Sequence, residues 1–541
     1  MLGKVAVLGG GVAGLSAAHE LAERGFQVHV YERKAVLGGK ARSIPVLGSG
    51  AGGRADLPGE HGFRFFPGFY QHVTDTMARI PFGSGGNCHD NLVVATRILL
   101  ARAGLSEITW VARNPRTLDD LRVFLIELLT PLGVPLDEVV FFVSRLIVLA
   151  TSCPQRRLAE YERIRWWDFI QAPRMSTVYQ SYLAQGMTRS LVAMRAEESS
   201  TRTVGYILLQ LFYGLISPDR VFDRLLAGPT NDVWIHPWTS YLEGLGVVFH
   251  RGARVSGIST HAGRVTGVTL EDSSQVTADY YIAALPVEVM ATLLTDELKA
   301  AAPSLAGIGN LKTRWMNGIQ FYLSKDQPLA HGHVIYLDSP WALTSISQRQ
   351  FWTGIDLAQY GDGAVQGILS VDISDWEAPG TLTGKPARAC SAEEIKSEVW
   401  HQLKQHLNDG GETTIDDGQL LGWFLDPDIE FPNPGEATNA EPLLINTAGS
   451  LQYRPEAQVE LENFFVASDY VRTYTDLACM EAANEAARRA VNCLLAASGS
   501  TAAPAALWPL EEPGFLKPFQ EIDRIRFALG RPHSLTLLDR H

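Results

Sequence analysis

Three glycines near the N-terminus, Gly9, Gly11 and Gly14, have the spacing G-x-G-x-x-G and could take part in ligand binding. An apolar run over residues 4–8 precedes them and predicts a buried strand, and apolar residues at helical spacing follow over residues 15–24. In this context the first glycine permits a tight turn, the second lets the backbone approach a pyrophosphate, and the third lets helix and strand pack closely. The helix N-terminus presents free N–H groups to a phosphate. The pattern therefore predicts a dinucleotide-binding site.

Glu32 ends a second predicted strand, over residues 27–31. Its carboxylate can accept hydrogen bonds from a ribose diol and would repel a 2′-phosphate, which argues against NADP. A second glycine pair, Gly38 and Gly39, follows where an ordinary NAD-dependent dehydrogenase continues into a helix. This pair suits a backbone that passes close to the same pyrophosphate, and a nearby guanidinium could neutralise the phosphate charge. The cations that we expect at the site are Arg33, Lys40 and Arg42.

The run from Glu32 to Ser43 resembles the E-x(5)-G-G-[RK]-x-x-S signature of the flavin-containing amine oxidase and phytoene desaturase superfamily. In motif order the chain is most similar to plant-type phytoene desaturases and to squalene-associated FAD-dependent desaturases of the hydroxysqualene dehydroxylase type. The resemblance implies FAD, bound without a covalent link. It also implies an α/β fold in which a Rossmann-like FAD-binding domain of the amine oxidase type is interleaved with an α+β substrate domain. We expect FAD-binding segments over residues 1–85, 227–298 and 441–500, substrate-domain segments over 86–226 and 299–440, and an extension over 501–541.

Residues 247–274 read as strands separated by tight turns, and the run over 279–286 resembles the family strand that re-enters the cofactor sheet. The resemblance places Val255 against the adenine. An ordinary hairpin of the substrate domain is the alternative.

The third return begins with a short apolar strand over residues 463–466. By resemblance, Asp469 matches the family aspartate that hydrogen-bonds the ribityl–phosphate chain, and Met480 opens a helix whose N-terminus faces the isoalloxazine. A solvated aspartate at a strand end is the alternative. The chain departs from the family pattern at four positions: Ser468 and Ala482 stand where the family has glycine, and Val471 and Cys479 where it has threonine and serine. The Cβ atoms added at the two glycine positions narrow the approach of the backbone to a flavin.

A flavin carries out the oxidation itself, so catalytic side chains leave a weak imprint in the sequence. Residues 60–68 resemble a G-x-H segment of the family that crosses near the cofactor, which makes His61 and Arg64 candidate catalytic residues. His61 could equally be a structural histidine, and Arg64 could neutralise the pyrophosphate or the reduced flavin. Amine oxidases of the superfamily place a lysine near flavin N5 on a strand that aligns with residues 315–319, where this chain has Asn317. Asn317 is therefore a third candidate catalytic residue, and the asparagine favours the desaturase branch.

The 541 residues are 46% hydrophobic and 19% charged, with a formal net charge of −13. This composition excludes a disordered or fibrous chain. The negative field argues against a nucleic-acid partner, and any peripheral membrane contact would have to be apolar. The five cysteines form no C-x-x-C or Cys/His cluster, so we expect neither a disulfide framework nor a metal site. With no signal-peptide pattern and no spanning stretch, the sequence predicts a cytoplasmic protein.

We therefore expect an FAD-dependent oxidoreductase that acts on an unsaturated hydrophobic substrate, a carotenoid, isoprenoid or polyene. The reaction would be desaturation, dehydrogenation or flavin-assisted isomerisation, with hydride transfer to flavin N5 and, for net oxidation, oxygen or a quinone as electron acceptor. The alternatives are an amine or amino-acid oxidase that produces hydrogen peroxide, and a flavin-binding protein without turnover. Six aromatic residues of the substrate-domain segments could line a long apolar pocket: Trp166, Trp167, Phe169, Trp315, Tyr336 and Trp341. The extension suggests no chemistry and could be a strap or an oligomer contact.

Overall fold

The computed structural model describes residues 3–109, 116–186, 188–189, 193–216, 221–408 and 413–539. In chain order the strands are β1 (Lys4–Leu8), β2 (Gln27–Glu32), β3 (Ser43–Pro45), β4 (Pro58–Glu60), β5 (Pro81–Phe82), β6 (Gly86–Asn87), β7 (Leu92–Ala95), β8 (Leu99–Arg102), β9 (Leu105–Thr109), β10 (Asp223–Leu226), β11 (Val248–Arg251), β12 (Val255–His261), β13 (Arg264–Leu270), β14 (Gln275–Val276), β15 (Tyr280–Ala283), β16 (Lys312–Arg314), β17 (Asn317–Leu323), β18 (Val334–Tyr336), β19 (Leu343–Ser347), β20 (Gly367–Ile373), β21 (Leu420–Leu425), β22 (Ile429–Asn433), β23 (Glu436–Asn439), β24 (Leu443–Ile445) and β25 (Phe464–Val466). The α-helices are α1 (Val12–Ala22), α2 (His72–Ala78), α3 (Leu118–Leu129), α4 (Leu136–Thr151), α5 (Pro154–Ala159), α6 (Trp166–Phe169), α7 (Thr177–Tyr179), α8 (Thr201–Ile216), α9 (His236–Gly244), α10 (Val287–Leu293), α11 (Asp296–Ala301), α12 (Ala392–Leu407), α13 (Met480–Ala497) and α14 (Lys517–Ala528).

A five-stranded sheet of order β11-β2-β1-β15-β25 has every strand pair parallel. β1 is its central strand and is buried from Val5 to Leu8, which is why its sequence is continuously apolar rather than alternating. This strand order is that of a Rossmann sheet, in which a ligand crevice opens where the chain leaves β1 and β15 on opposite sides. The strands predicted over residues 4–8, 27–31, 279–286 and 463–466 are confirmed. The chain enters this sheet in three separate stretches, as expected, and the limits of the domain segments stay a prediction.

A second sheet has seven strands in the order β21-β17-β20-β19-β18-β8-β9. Its pairs are antiparallel except β8 with β18, so this part of the chain is α+β in character, with helices α3 to α8 and α12 around it. One face of the sheet packs on α12, where the rings of Phe321 and Trp400 lie 5.0 Å apart between centroids. Because side chains alternate along a strand, the opposite face carries a different set of residues.

That opposite face carries one row of residues in register across five strands: Leu100, Ile335, Thr344, Asp372 and Gly318. The row faces the five-stranded sheet and α8, so it forms one side of the space between the two sheets. This placement brings two polar side chains, Thr344 and Asp372, next to each other in an otherwise apolar strip.

The C-terminal extension lies back on the rest of the protein. Asp523 in α14 accepts hydrogen bonds from Arg156 Nε, at 3.0 Å, and from the backbone N–H of Cys153, at 2.9 Å. Trp508 N–H donates to His72 Nε2 at 3.0 Å. The extension is thus an intramolecular strap across several helices. Within the described ranges, no helix combines the length and the apolar character that crossing a membrane requires.

Candidate functional site

The turn after β1 is closed by backbone contacts. Gly9 has a φ of +105°, and a Cβ there would lie 2.5 Å from the carbonyl oxygen of Ala284. A Cβ on Gly14 would lie 1.9 Å from the carbonyl oxygen of Gly9. Gly11 differs, because its φ of −78° suits any residue and a Cβ there would make an ordinary contact of 3.6 Å with Gly39 Cα. The fold itself therefore requires Gly9 and Gly14, whereas the protein's own atoms leave room for a side chain at Gly11.

The second glycine pair stacks on this turn. Gly38 N–H donates to the carbonyl oxygen of Gly10 at 2.9 Å. A Cβ on Gly39, which has a φ of +55°, would lie 2.9 Å from Gly11 Cα. A cleft of about 300 Å³ begins beside these two turns and is also lined by Val12 and Ala13, the first residues of α1. The first N–H groups of a helix have no helical acceptor, so this wall of the cleft suits a phosphate.

Glu32 lies at the same end of the cleft and is 8% exposed. One carboxylate oxygen accepts from Gly10 N–H at 2.7 Å, and the other accepts from Lys34 N–H at 2.8 Å. These bonds fix the carboxylate at the turn while each oxygen keeps a lone pair for a ligand hydroxyl. Arg33 and Val255 line the cleft nearby. The structure thus brings together the residues that the sequence predicted for a ribose and an adenine.

Two predicted cofactor residues lie outside the cleft wall. Gly14 packs against Gly9, as described, and Arg42 is 4% exposed and turned away from the cleft. The Arg42 guanidinium donates to Glu441 at 2.8 Å and also pairs with Asp428. Burial opposes ionisation of Glu441, but Arg42 and neighbouring cations outweigh it and lower the pKa of that carboxyl. Arg42 therefore stabilises the packing of residues 428–441 instead of facing a phosphate, which corrects the role expected for it. The other two expected cations, Arg33 and Lys40, do line the cleft.

The other end of the cleft is formed by the start of α13. Asp469 and Met480 line it, as do Ser468 and Ala483, whereas Ala482 is fully buried and does not. Of the two positions where the chain lacks a family glycine, only Ser468 therefore adds atoms to the cleft wall.

Cys479 caps α13, because its Sγ accepts from the backbone N–H of Ala482 at 3.5 Å. Burial raises the pKa of this thiol to about 12. Cys479 lines the cleft as a neutral thiol with a structural role.

His61 and Arg64, in the segment after β4, and Asp372, in β20, also line the cleft. Gly62 lets this segment lie on the seven-stranded sheet, since a Cβ there would lie 2.7 Å from Asp372 Oδ1. Burial lowers the pKa of Arg64, although the carboxyl groups of Glu60 and Asp372 oppose this effect. Burial also raises the pKa of Asp372 to about 7, against the opposing charge of Arg64. The cleft therefore holds a buried cation beside a carboxyl group that can be protonated near neutral pH.

His61 and Asn317 belong to a chain of buried polar side chains. His61 Nδ1 lies 2.7 Å from Asp426, and Asn317 Nδ2 donates to the same carboxylate at 2.5 Å. Asn317 Oδ1 accepts from Asn439 at 2.7 Å. Burial opposes ionisation of Asp426, but His61 and Asn317 outweigh it and lower its pKa.

Asn317 does not line the cleft, whereas Met316 does. The side chain of Asn317 is 1% exposed, and both ends of its amide are used by Asp426 and Asn439. The geometry gives Asn317 a positioning role behind His61, in place of the contact with the flavin expected from the sequence. Among the residues lining this cleft, Lys40 is the only lysine, and it lies at the turn end.

One group of side chains could satisfy the spacing of a metal site: His61, Asp426 and Asp428. Asp428 is engaged by two cations, since Lys34 Nζ lies 2.7 Å from it and Arg42 pairs with its other oxygen. A metal ion there would meet these positive charges, so the group is better explained as an ion-pair cluster.

An apolar cavity of about 80 Å³ adjoins the cleft. The two spaces share four wall residues, Phe63, Phe65, Leu211 and Met316. Its wall is apolar apart from Asp223, His333 and Thr344. None of the six aromatic residues predicted for such a pocket lines either space, because Trp166, Tyr336 and Trp341 are fully buried in the cores. That expectation is wrong, and the aromatic wall residues come from the segment after Glu60 and from the helix of residues 201–216.

Sequence reasoning missed Asp372, Asp223, His333 and Met316. Met316 directly precedes Asn317, so the alternation of side chains along β17 was a usable signal for it. The three polar residues are separated by long stretches of chain and carry no motif, so only the folded sheet brings them to the site.

Comparison with known proteins agrees with this geometry. Residues 7–80 match the family model described as an NAD(P)-binding Rossmann-like domain, and residues 228–495 match the model described as flavin containing amine oxidoreductase. The chain is 23% identical to the zeta-carotene desaturase of Synechocystis sp., over 91% of this chain and 97% of that protein. It is also 23% identical to the probable zeta-carotene desaturase of Synechococcus elongatus, over 92% of this chain and 100% of that protein.

The fold is similar to that of putrescine oxidase bound to putrescine, with a TM-score of 0.62, 13% sequence identity, and coverage of 91% of this chain and 99% of that one. The turn glycines, the Rossmann strand order and the two matched family models point to one conclusion. The chain is a flavin-dependent oxidoreductase that is related to the carotene desaturases and matches, over residues 228–495, the family of flavin containing amine oxidoreductases.

Proposed function

We propose that the protein binds FAD without a covalent link and oxidises, or rearranges with flavin assistance, an unsaturated hydrophobic substrate. The observation that carries the proposal is the apolar cavity, which shares Phe63, Phe65, Leu211 and Met316 with the cleft. Its wall is apolar apart from three side chains, so it suits a hydrophobic part of a substrate that reaches the cleft. The names of the two curated relatives, both zeta-carotene desaturases, support the same substrate class.

The residues that would hold FAD run along the cleft. Gly11, Gly39 and the N-terminus of α1 would receive the pyrophosphate, and Glu32 would accept from a ribose hydroxyl. Val255 would lie at the adenine end, and Asp469 and Met480 at the flavin end. The space beside Gly11 fits a pyrophosphate, because the protein's own atoms leave it open and a side chain at this position would fill it. The raised pKa of the Cys479 thiol supports non-covalent binding, since a covalent thioether forms from a thiolate.

When bound, the flavin supplies the oxidising chemistry by accepting a hydride at N5. The chain's own residues would position the substrate and exclude water from the apolar cavity. Arg64, which lines the cleft, would offset negative charge on the reduced cofactor, and Asp426, 2.7 Å from His61 Nδ1, would orient the His61 ring. Both roles are proposals. Net oxidation would further need an electron acceptor, for which oxygen or a quinone are the candidates.

An amine oxidase activity is the second candidate, because two buried carboxyl groups, Asp223 and Asp372, lie in the cavity and cleft walls. Asp223 is 2.9 Å from His333, however, and the pKa of Asp372 is raised to about 7 by burial. Asp372 is therefore protonated over part of the neutral range, and Asp223 is a single carboxyl group beside an imidazole in a wall that is otherwise apolar, so the apolar substrate is favoured.

One larger side chain in the wall of the apolar cavity tests the proposal. Leu215 lines this cavity, so Leu215→Trp should fill it and abolish conversion of a polyene such as phytoene, while flavin content stays unchanged. Leu421→Trp, at a position that is 48% exposed, is the matched control and should convert the polyene as the wild type does. Products are separated by chromatography and identified by mass, and hydrogen peroxide is measured in parallel with a panel of amines. Peroxide production from simple amines that Leu215→Trp does not affect, with no product from any polyene, would overturn the proposal.

A further inference from the structure

A small polar cluster lies in the wall of the apolar cavity. It consists of Asp223 at the start of β10, His333 just before β18, and Thr344 in β19. Asp223 and Thr344 are 2% and 3% exposed, so neither side chain can form its hydrogen bonds with bulk water. The other residues of this wall are apolar or glycine.

The cluster contains hydrogen-bonding atoms that the protein leaves unused. Asp223 Oδ2 lies 2.9 Å from His333 Nδ1, but out of line for a hydrogen bond. In the described part of the chain, neither this oxygen nor His333 Nε2 nor Thr344 Oγ1 has a hydrogen-bond partner. Buried polar groups of native proteins nearly always have partners, so three such atoms in one wall indicate that another molecule completes them.

Asp223 and His333 are in contact, and Thr344 lies on the neighbouring strand of the same sheet face. Thr344 lies opposite Ile335 in the register of β18 and β19, so His333, two residues before Ile335, is a diagonal neighbour of Thr344 on the same face. The imidazole is held between Phe63 and Phe65, with ring centroids at 5.4 and 4.9 Å. Both phenylalanines also line the cleft, which places the cluster near the passage between the two spaces.

The combination of a carboxylate, an imidazole and a hydroxyl suits a ligand hydroxyl group. A hydroxyl can donate one hydrogen bond, for which Asp223 Oδ2 is an acceptor, and can also accept from a ring N–H or from Thr344. A hydrocarbon could satisfy none of these atoms. An ammonium group could donate to all three atoms, because a hydroxyl oxygen and a neutral imidazole nitrogen also accept, but its charge would have to be desolvated in a wall that is otherwise apolar.

We propose that Asp223, His333 and Thr344 form a subsite that binds one hydroxyl group of an otherwise apolar, unsaturated ligand. The subsite sets which end of the ligand enters the cavity. This inference rests on the proposed function and narrows its substrate class to an isoprenoid or polyene alcohol.

Two probes of matched size test the subsite: farnesol, which carries one hydroxyl, and the hydrocarbon farnesene. Their binding to the holoprotein is measured by equilibrium dialysis in the absence of any electron acceptor. One charge-assisted hydrogen bond changes affinity by about 10-fold or more, so the wild type should bind farnesol at least about 10-fold more tightly than farnesene. Thr344→Val and His333→Phe should each reduce this preference, and the double variant should lose it. Ile98→Val removes only a methyl group from the same wall and should weaken both probes alike.

Thermal unfolding of the ligand-free variants gives a second readout. Thr344→Val replaces a buried hydroxyl that has no partner with an apolar group of the same shape, so its melting temperature should equal or exceed that of the wild type. A hydroxyl that merely supports the fold would give the opposite result, a lower melting temperature. The two readouts together separate ligand binding from structural support.

Equal affinity for the two probes in the wild type would overturn the subsite and leave the proposed hydrophobic substrate intact, because both probes would still bind. Failure of both probes to bind would overturn the subsite together with the proposed function. A preference for farnesol that Thr344→Val and His333→Phe leave unchanged would also overturn this assignment, since the hydroxyl would then lie elsewhere.

Discussion

Gly11→Val should abolish flavin binding while the protein still folds. Gly11 has a φ of −78°, and a Cβ there would contact Gly39 Cα at an ordinary 3.6 Å, so the backbone accepts a side chain. As the N-cap of α1, the position makes no side-chain hydrogen bond, so the helix loses at most about 1 kcal/mol. The added methyl groups would occupy the wall of the cleft where we place the pyrophosphate.

The expected magnitude follows from the hydrogen bonds that a displaced pyrophosphate would lose. Charge-assisted bonds contribute about 1.5–3 kcal/mol each, so the loss of two would weaken binding by about 100-fold or more. Gly14→Ala is the matched comparison, because its Cβ would lie 1.9 Å from the carbonyl oxygen of Gly9. That variant should lose about 1–3 kcal/mol of folding stability or fail to fold, through overpacking.

Two measurements distinguish these effects. Flavin content is read from absorbance after release from the purified protein, and folding stability from thermal unfolding followed by circular dichroism. We expect Gly11→Val to be stable and colourless, and Gly14→Ala to be unstable. A Gly11→Val protein with full flavin occupancy would refute the assignment of this turn as the phosphate site.

Three further predictions concern the cofactor and the buried carboxyl groups. Glu32→Ala should weaken flavin binding by about 1.5–3 kcal/mol, measured by titration of the apoprotein, because the carboxylate would no longer accept from a ribose; Glu32→Gln should lose less, and equal affinity of all three proteins would count against a ribose contact. Acid precipitation should release all yellow colour and yield FAD, whereas colour left in the pellet or release of FMN would contradict the proposed cofactor. Burial raises the pKa of Asp372 to about 7, above the ~3.9 of an unfolded chain, so the folded protein keeps a proton that the unfolded chain releases and stability falls as pH rises through this window. Asp372→Asn should flatten this fall in urea unfolding between pH 5 and 7, and an unchanged slope would argue against the buried carboxyl.

The Rossmann half of the fold could be predicted because its signals are local. Gly9 and Gly14 are required by contacts within a few residues of themselves or with the neighbouring strand, and the continuous apolar run of Lys4–Leu8 identifies a buried central strand. The later strands, Tyr280–Ala283 and Phe464–Val466, were recognisable from their resemblance to a family pattern. The order in which these strands join the sheet follows from the fold class.

The site was less predictable, because its contacts join distant parts of the chain. Arg42 was expected near a phosphate but pairs with Glu441 and Asp428, about four hundred residues away. The sequence pattern predicts Asn317 as the residue that faces the flavin, but side chains alternate along the strand, so Met316 lines the cleft and Asn317 does not. Thr344 and Asp372 become neighbours only through the register of β19 with β20, which sequence patterns do not specify.

The most direct test of the account is anaerobic mixing of the flavin-loaded protein with a polyene or isoprenoid, followed by flavin absorbance and product analysis. The account predicts that the absorbance bleaches as a new double bond forms, or that the substrate is converted without lasting bleaching when the reaction is an isomerisation. Leu215→Trp, which fills the apolar cavity, should neither bleach nor convert the substrate. Rapid bleaching by simple amines, with no response to any apolar substrate, would contradict the account.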